Sequence, residues 1–188
     1  MRYVSTRGRA PEQSFSEILL SGLAADGGLY VPASYPRIGA AELDAWRSLS
    51  YADLASAVIG KFADDITPDE LSALTGATYT AGNFANARAD SRADDITPLR
   101  WLGPGLGLLE LSNGPTLAFK DVAMQLLGAL FQRVLEQRGE RLNVLGATSG
   151  DTGSSAEYAM RGRDRINVFM LSPNGRMSVF QRAQMYSL

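Results

Sequence analysis

From residue 106 onward, short apolar runs alternate with helix-length amphipathic ones, and that rhythm restricts the fold more than any other feature of the sequence. Residues 106–111, 142–147 and 166–171 are strand candidates, short and rich in Leu, Val, Ile and Phe. Asp121 stands where a helix cap belongs. Behind it Ala123, Leu127, Leu130 and Val134 give an apolar face to a helix running to about Gln137 and stopping near Gly139. Residues 151–160 read as a second helix, and a last one begins near Ser178. Parallel strands need a crossover of about a dozen residues or more, usually a helix. Strand, helix, strand, helix at this spacing therefore predicts a parallel α/β sheet.

The first ninety residues read as mostly helical. Residues 15–23 and 51–62 carry apolar positions at helical spacing, with the turn signal Asp26-Gly27-Gly28 between them. Thr67-Pro68-Asp69-Glu70 spells a capping box with proline at the first helical position, opening a helix expected to end near Gly76. Residues 81–95 turn polar and small and are read as a linker, which divides the chain into domains 1–90 and 91–188.

Composition narrows the chemistry. A net charge of −2 with scattered arginines argues against a nucleic-acid partner. No apolar run approaches the ~18 residues that span a bilayer, and residues 1–7 lack the apolar core of a secretory signal, so a cytoplasmic protein without a membrane partner is expected. Oligomeric state is not legible. The chain has no His and no Cys, which removes the commonest general base, the thiol nucleophile and the usual metal ligands. Positive charge is carried by sixteen arginines and only two lysines, Lys61 and Lys120. A lysine in such a chain calls for a lysine-specific reason: a primary amine can lose its proton and form a Schiff base with a carbonyl, and a guanidinium cannot.

Lys120 stands at a loop-to-helix junction, where the positive end of the helix dipole favours the neutral amine. Downstream, Gly146-Ala-Thr-Ser-Gly-Asp-Thr-Gly-Ser154 follows a strand and opens a helix, so its amides and hydroxyls make an anion site. It lacks the Lys-Ser/Thr ending of a phosphate-binding P-loop and the glycine spacing of a dinucleotide fingerprint. A third segment, Ser172-Pro-Asn-Gly-Arg-Met-Ser178, follows another strand, the side on which open α/β sheets bind ligands. Arg176 can grip a phosphate bidentately, Asn174 and Ser178 can add hydrogen bonds, and Gln181 lies one turn on. Each segment also has a purely structural reading: a solvated Lys120 at a helix start, Phe119 as core, Asp121 as a cap, and two surface turns.

Asn113-Gly-Pro-Thr-Leu-Ala-Phe-Lys-Asp121 followed by Gly146-Ala-Thr-Ser-Gly-Asp-Thr-Gly153 resembles the threonine synthases of the longer bacterial and fungal type. Tyr3-Val-Ser-Thr-Arg-Gly8, Gly27-Gly-Leu-Tyr-Val-Pro32 and Met177-Ser-Val-Phe-Gln-Arg-Ala-Gln-Met185 extend the resemblance over nearly the whole chain in the family's order. It implies an α/β protein: a mostly helical N-terminal domain, then the start of a domain of the tryptophan synthase β-like fold (fold type II), dependent on pyridoxal 5'-phosphate (PLP). The family converts O-phospho-L-homoserine and water to L-threonine and phosphate.

By the same resemblance Lys120 is the Schiff-base lysine and later the general base. Phe119 and Asp151 are expected at the cofactor. Ser149, Gly150, Thr152 and Gly153 are expected at the substrate carboxylate, and Asn174, Arg176 and Ser178 at its phosphate. The chain departs from the family at Asn113, where the commonest form has His, and near Asn174, where basic residues or His are frequent. At Asp151 some relatives carry Asn, which can donate to the cofactor's phenolic oxygen as an ionised Asp cannot. The family's loop for the cofactor phosphate lies beyond residue 188, so the chain reads as an N-terminal portion. Two other readings stay open: a serine/threonine dehydratase, and a non-catalytic fragment or interaction module. A P-loop nucleotide-binding protein is a more distant third.

Overall fold

The computed structural model describes residues 1–85 and 95–187. It divides into two compact units, Met1–Ala77 and Thr78–Leu188. The expected boundary at residue 90 and most of the expected linker lie outside the described residues.

The first unit holds β1 (Tyr3–Ser5), α1 (Phe15–Leu19), β2 (Tyr30–Pro32), α2 (Ala40–Trp46), α3 (Tyr51–Gly60) and most of α4 (Pro68–Thr78). Its helices match the mostly helical expectation, and two short strands add to it. β1 and β2 pair antiparallel, Val4 opposite Val31, and are only three residues each, too short for a two-residue period to register. Tyr3 and Ser5 face inward on β1. The Tyr3 ring tilts against Phe15, and its hydroxyl donates to the Phe62 carbonyl at 2.9 Å. Burial, with Asp65 and Asp64 nearby, raises the Tyr3 pKa and keeps that donor protonated.

Asp26 ties the two N-terminal motifs together. Its carboxyl group accepts from Ser5 Oγ at 2.7 Å and from the amides of Gly28, Arg9 and Ala10 at 2.9–3.1 Å. The Ser5 hydroxyl, then these amides, lower its pKa from 3.8 to about 2. Lys61, the second lysine, closes α3 on α2: Nζ lies 2.5 Å from Glu42 and 5.7 Å from the centre of the Trp46 ring.

α4 opens as its capping box requires, with the Glu70 amide donating to Thr67 Oγ1 and the Thr67 amide to Glu70 Oε2. It continues through Gly76 to Thr78, because the buried Leu71, Thr75 and Thr78 outweigh one glycine's helical cost of about 1 kcal/mol.

The second unit begins with a hairpin of β3 (Leu99–Gly103) and β4 (Leu106–Leu109). β3 has no counterpart in the sequence reading, and β4 stops two residues before the expected end. α5 (Lys120–Arg138) ends at Gly139 in the left-handed conformation, as a glycine past a helix end allows. β5 (Leu142–Ala147), α6 (Asp151–Met160) and β6 (Ile166–Leu171) then make a strand–helix–strand unit, its strands parallel and in register from Leu142 opposite Ile166 to Ala147 opposite Leu171. Val144, Gly146, Ile166, Val168 and Met170 form the more buried face of this pair. α7 (Val179–Tyr186) follows. Arg163 joins α5 to α6, donating to Gln132 Oε1 at 2.9 Å and to the Ala159 carbonyl at 2.6 Å.

Two expectations for α5 need correction. Leu130 and Val134 are buried, but Ala123 is exposed and Leu127 only half-buried, while Leu126 and Leu135 carry the buried face. Asp121 does not cap the helix; Phe119 holds the cap position with a helical backbone and no side-chain hydrogen bond.

Candidate active site

Three helix starts gather on the second unit. α6 and α7 both begin where parallel strands end, after β5 and β6, the edge at which open α/β sheets bind ligands. α5 presents Lys120 at its first position.

Lys120 is half-buried, and its Nζ lies 4.5 Å from the centre of the Phe119 ring. Among the described residues no ion pair holds it. Phe119 is 62 % exposed, so it is an aromatic wall beside the amine and not core. Ahead of them the chain makes a tight approach to α5. Gly114 packs so close to Asp121 that a Cβ there would lie 2.4 Å from the Asp121 Cβ. Asn113 is buried and donates from Nδ2 to the Ile96 carbonyl at 3.3 Å. The departure from His thus falls on a residue that anchors the turn internally.

Asp121 is 0 % exposed. Its carboxyl group accepts from the Thr116 amide at 2.8 Å, from Thr116 Oγ1 at 2.7 Å, and from Ser155 Oγ in α6. Sequence reading missed Thr116 and Ser155, because neither hydroxyl carries a local signal and Ser155 lies 34 residues from its partner.

The loop before α6 is organised by Thr148, whose Oγ1 accepts from the amides of Gly150 at 3.1 Å and Gly153 at 3.0 Å. Gly150 has φ +153°, a conformation that favours glycine, and a Cβ there would push aside the end of the Gln181 side chain, 2.3 Å away. Ser149, Asp151 and Thr152 are exposed, whereas Gly150 and Gly153 are buried. Asp151 is turned to α7: its Oδ1 accepts from Gln181 Nε2 at 2.9 Å.

Gln181 also completes a capping box with Ser178, whose Oγ accepts from the Gln181 amide at 3.2 Å. Ser178 is therefore engaged as the cap of α7, while Asn174 and Arg176 are exposed on the turn before it. One turn on, Gln184 Nε2 donates to the Thr116 carbonyl at 2.7 Å. The hydrogen bonds thus link all three segments: Asp121 to Ser155, Asp151 to Gln181, and Thr116 to Gln184.

A parallel strand pair followed by a glycine-rich strand-to-helix loop, with an amine-bearing helix start tied to that helix through Asp121 and Ser155, is the α/β arrangement expected of the tryptophan synthase β-like fold. The comparisons narrow this. Residues 2–79 match the family model described as threonine synthase N terminus. The threonine synthase of Methylobacillus glycogenes is 58% identical over 100% of this chain and 40% of its own length. That of Corynebacterium glutamicum is 53% identical over 100% of the chain and 39% of its own. The crystal structure of threonine synthase from Brucella melitensis, which has PLP bound, superposes with a TM-score of 0.86 at 46% identity, covering 98% of this chain and 38% of that one. Over its whole length the chain is similar to the N-terminal part of threonine synthases. It spans about two fifths of the length of these relatives.

Proposed function

We propose that the chain forms the N-terminal part of a PLP-dependent carbon–oxygen lyase, a cytoplasmic threonine synthase that converts O-phospho-L-homoserine and water to L-threonine and phosphate. The observation that carries the reading is that hydrogen bonds tie the segment carrying Lys120 to α6 and α7, through Asp121 and Ser155, Thr116 and Gln184, and Asp151 and Gln181. The residues present fit the cofactor: Lys120 offers a half-buried primary amine without an ion pair, and Phe119 an exposed aromatic face beside it. When bound, the cofactor supplies an electron sink for carbanions next to the substrate nitrogen.

Lys120 would hold the cofactor through its amine and would move protons at the α, β and γ carbons of the substrate, work that falls to it in a chain without His. Phe119 and Asp151 lie at the cofactor, and Gln181 orients Asp151. Ser149, Gly150, Thr152 and Gly153 at the start of α6 orient the substrate carboxylate. Asn174, Arg176 and Ser178 take its phosphate, with Arg176 as the bidentate partner. After a proton is removed at the α and β carbons, phosphate leaves from the γ carbon with its bonding electron pair; a proton then returns to the γ carbon, and water adds across the α and β carbons with its oxygen at β. The proposed organisation is an N-terminal domain over residues 1–90 and an incomplete cofactor domain over 91–188.

The test supplies the full-length protein that carries this segment with PLP and offers O-phospho-L-homoserine, L-serine and L-threonine in parallel. Phosphate release matched by new L-threonine, absent from Lys120→Ala, is the expected result. Keto acid from serine or threonine without phosphate release from the phosphorylated substrate would make the protein a dehydratase and overturn the reading.

A further inference from the structure

Asp121 follows Lys120 directly, and the side-chain roles described so far leave it unused. It is 0 % exposed, as is Ser155, and Thr116 is 3 % exposed, so the three polar groups form a closed cluster beneath the lysine. Three donors converge on one carboxyl group: the Thr116 amide, the Thr116 hydroxyl and the Ser155 hydroxyl. Thr116 is held from a second side by Gln184 of α7.

Between Thr116 and Asp121 the backbone passes through Leu117 at φ +58°, the left-handed region, with a side chain that is 46 % exposed. A branched residue gains nothing there by itself, and such a conformation persists only where its surroundings over-determine it. The bonds from Asp121 to Thr116 close the turn around Leu117 and impose that conformation. The bond to Ser155 then fixes the turn to the helix whose start carries the Gly150 loop.

We infer that Asp121 is a positioning residue: with Thr116 and Ser155 it clamps the strained turn at Leu117 and so sets where the Lys120 amine stands relative to the Gly150 loop. The inference rests on the reading of Lys120 as the cofactor-holding amine and adds to it the device that aims the amine. Asp121 touches neither cofactor nor substrate in this role and acts through the backbone of Lys120.

Lys61 supplies an internal reference, because it lies in the other unit, paired with Glu42. The chain and its Ser155→Ala and Asp121→Asn variants are saturated with PLP, reduced with borohydride and digested, and the ratio of label on Lys120 to label on Lys61 is read by mass spectrometry. Thermal melting is recorded beside it. Ser155→Ala removes one hydroxyl and leaves both Thr116 bonds, so it is the variant on which the outcome is judged if Asp121→Asn does not fold. The expected result is a labelling ratio lowered by about ten-fold or more in the folded Ser155→Ala variant, the scale of loss that follows small misplacement of a reacting group. An unchanged ratio with a lower melting temperature would show a packing element only and overturn the inference, while leaving Lys120 as the cofactor lysine. Equal labelling of both lysines in the unmutated chain would instead overturn the cofactor reading, and with it the premise of the clamp.

Discussion

At the scale of single residues, carboxyl groups organise both units, and their consequences separate by pH and by packing. Asp26 binds its proton less tightly in the folded chain than in the unfolded one, since its pKa falls from 3.8 to about 2. Protonation therefore favours unfolding, and the stability that Asp26 contributes is complete above its ordinary value and lost as pH falls through about 2. Melting curves recorded from about pH 5 to about pH 2 will show the unmutated chain more stable than Asp26→Asn at the upper end, with the gap closing toward the lower. A gap constant across the series would place the stabilisation outside this carboxyl group. Gly114 tests the other cluster by shape. A methyl group there would sit 2.4 Å from the Asp121 Cβ and 2.5 Å from its Oδ2, both held by buried hydrogen bonds. Gly114→Ala is expected to cost about 2 kcal/mol in urea denaturation, the scale of overpacking a closed site.

At the scale of elements, what the sequence discloses depends on how far each element's partners lie along the chain. The Thr67 cap is local, and its loss in Thr67→Ala is expected to destabilise α4 by about 1 kcal/mol in thermal melting. β5, α6 and β6 begin and end at the expected residues. Their apolar runs are bounded by glycine-bearing loops, and a six-residue apolar run differs in length and period from an amphipathic helix. β1 and β2 escaped because three-residue strands carry too little pattern, though the motifs containing them were legible. α2 left no signal either: seven residues without a side-chain cap are held by the Lys61–Glu42 pair and the lysine over Trp46. The start of α5 was legible and its mechanism was not. Asp121 satisfies the local rule for a cap, yet its partners are a preceding turn and a serine on another helix. Lys120 itself stood out because the composition avoids lysine, a signal independent of structure. Gln184, which ties Thr116 to α7, had no such signal.

At the scale of the molecule, the second unit turns one face of its β5–β6 pair to helices and leaves the other open. Leu145 and Phe169, opposite each other on the two strands, are 71 % and 57 % exposed, with Leu171 beside them. Replacing the pair by Leu145→Lys with Phe169→Glu is expected to leave the melting temperature within a few degrees, since neither side chain lies in the core of the described residues. Among the described residues no helix is long and apolar enough to cross a membrane. The cofactor role proposed for Lys120 belongs to the strand ends, where the start of α5 is tied to α6 by Asp121 and Ser155. It is tested most directly by incubating the unmutated chain with PLP, reducing, digesting and locating the label. Only Lys61, Lys120 and the terminal amine can carry it. The account predicts label concentrated on Lys120 and lost from that peptide in Lys120→Arg; label shared indifferently among the three amines would contradict it.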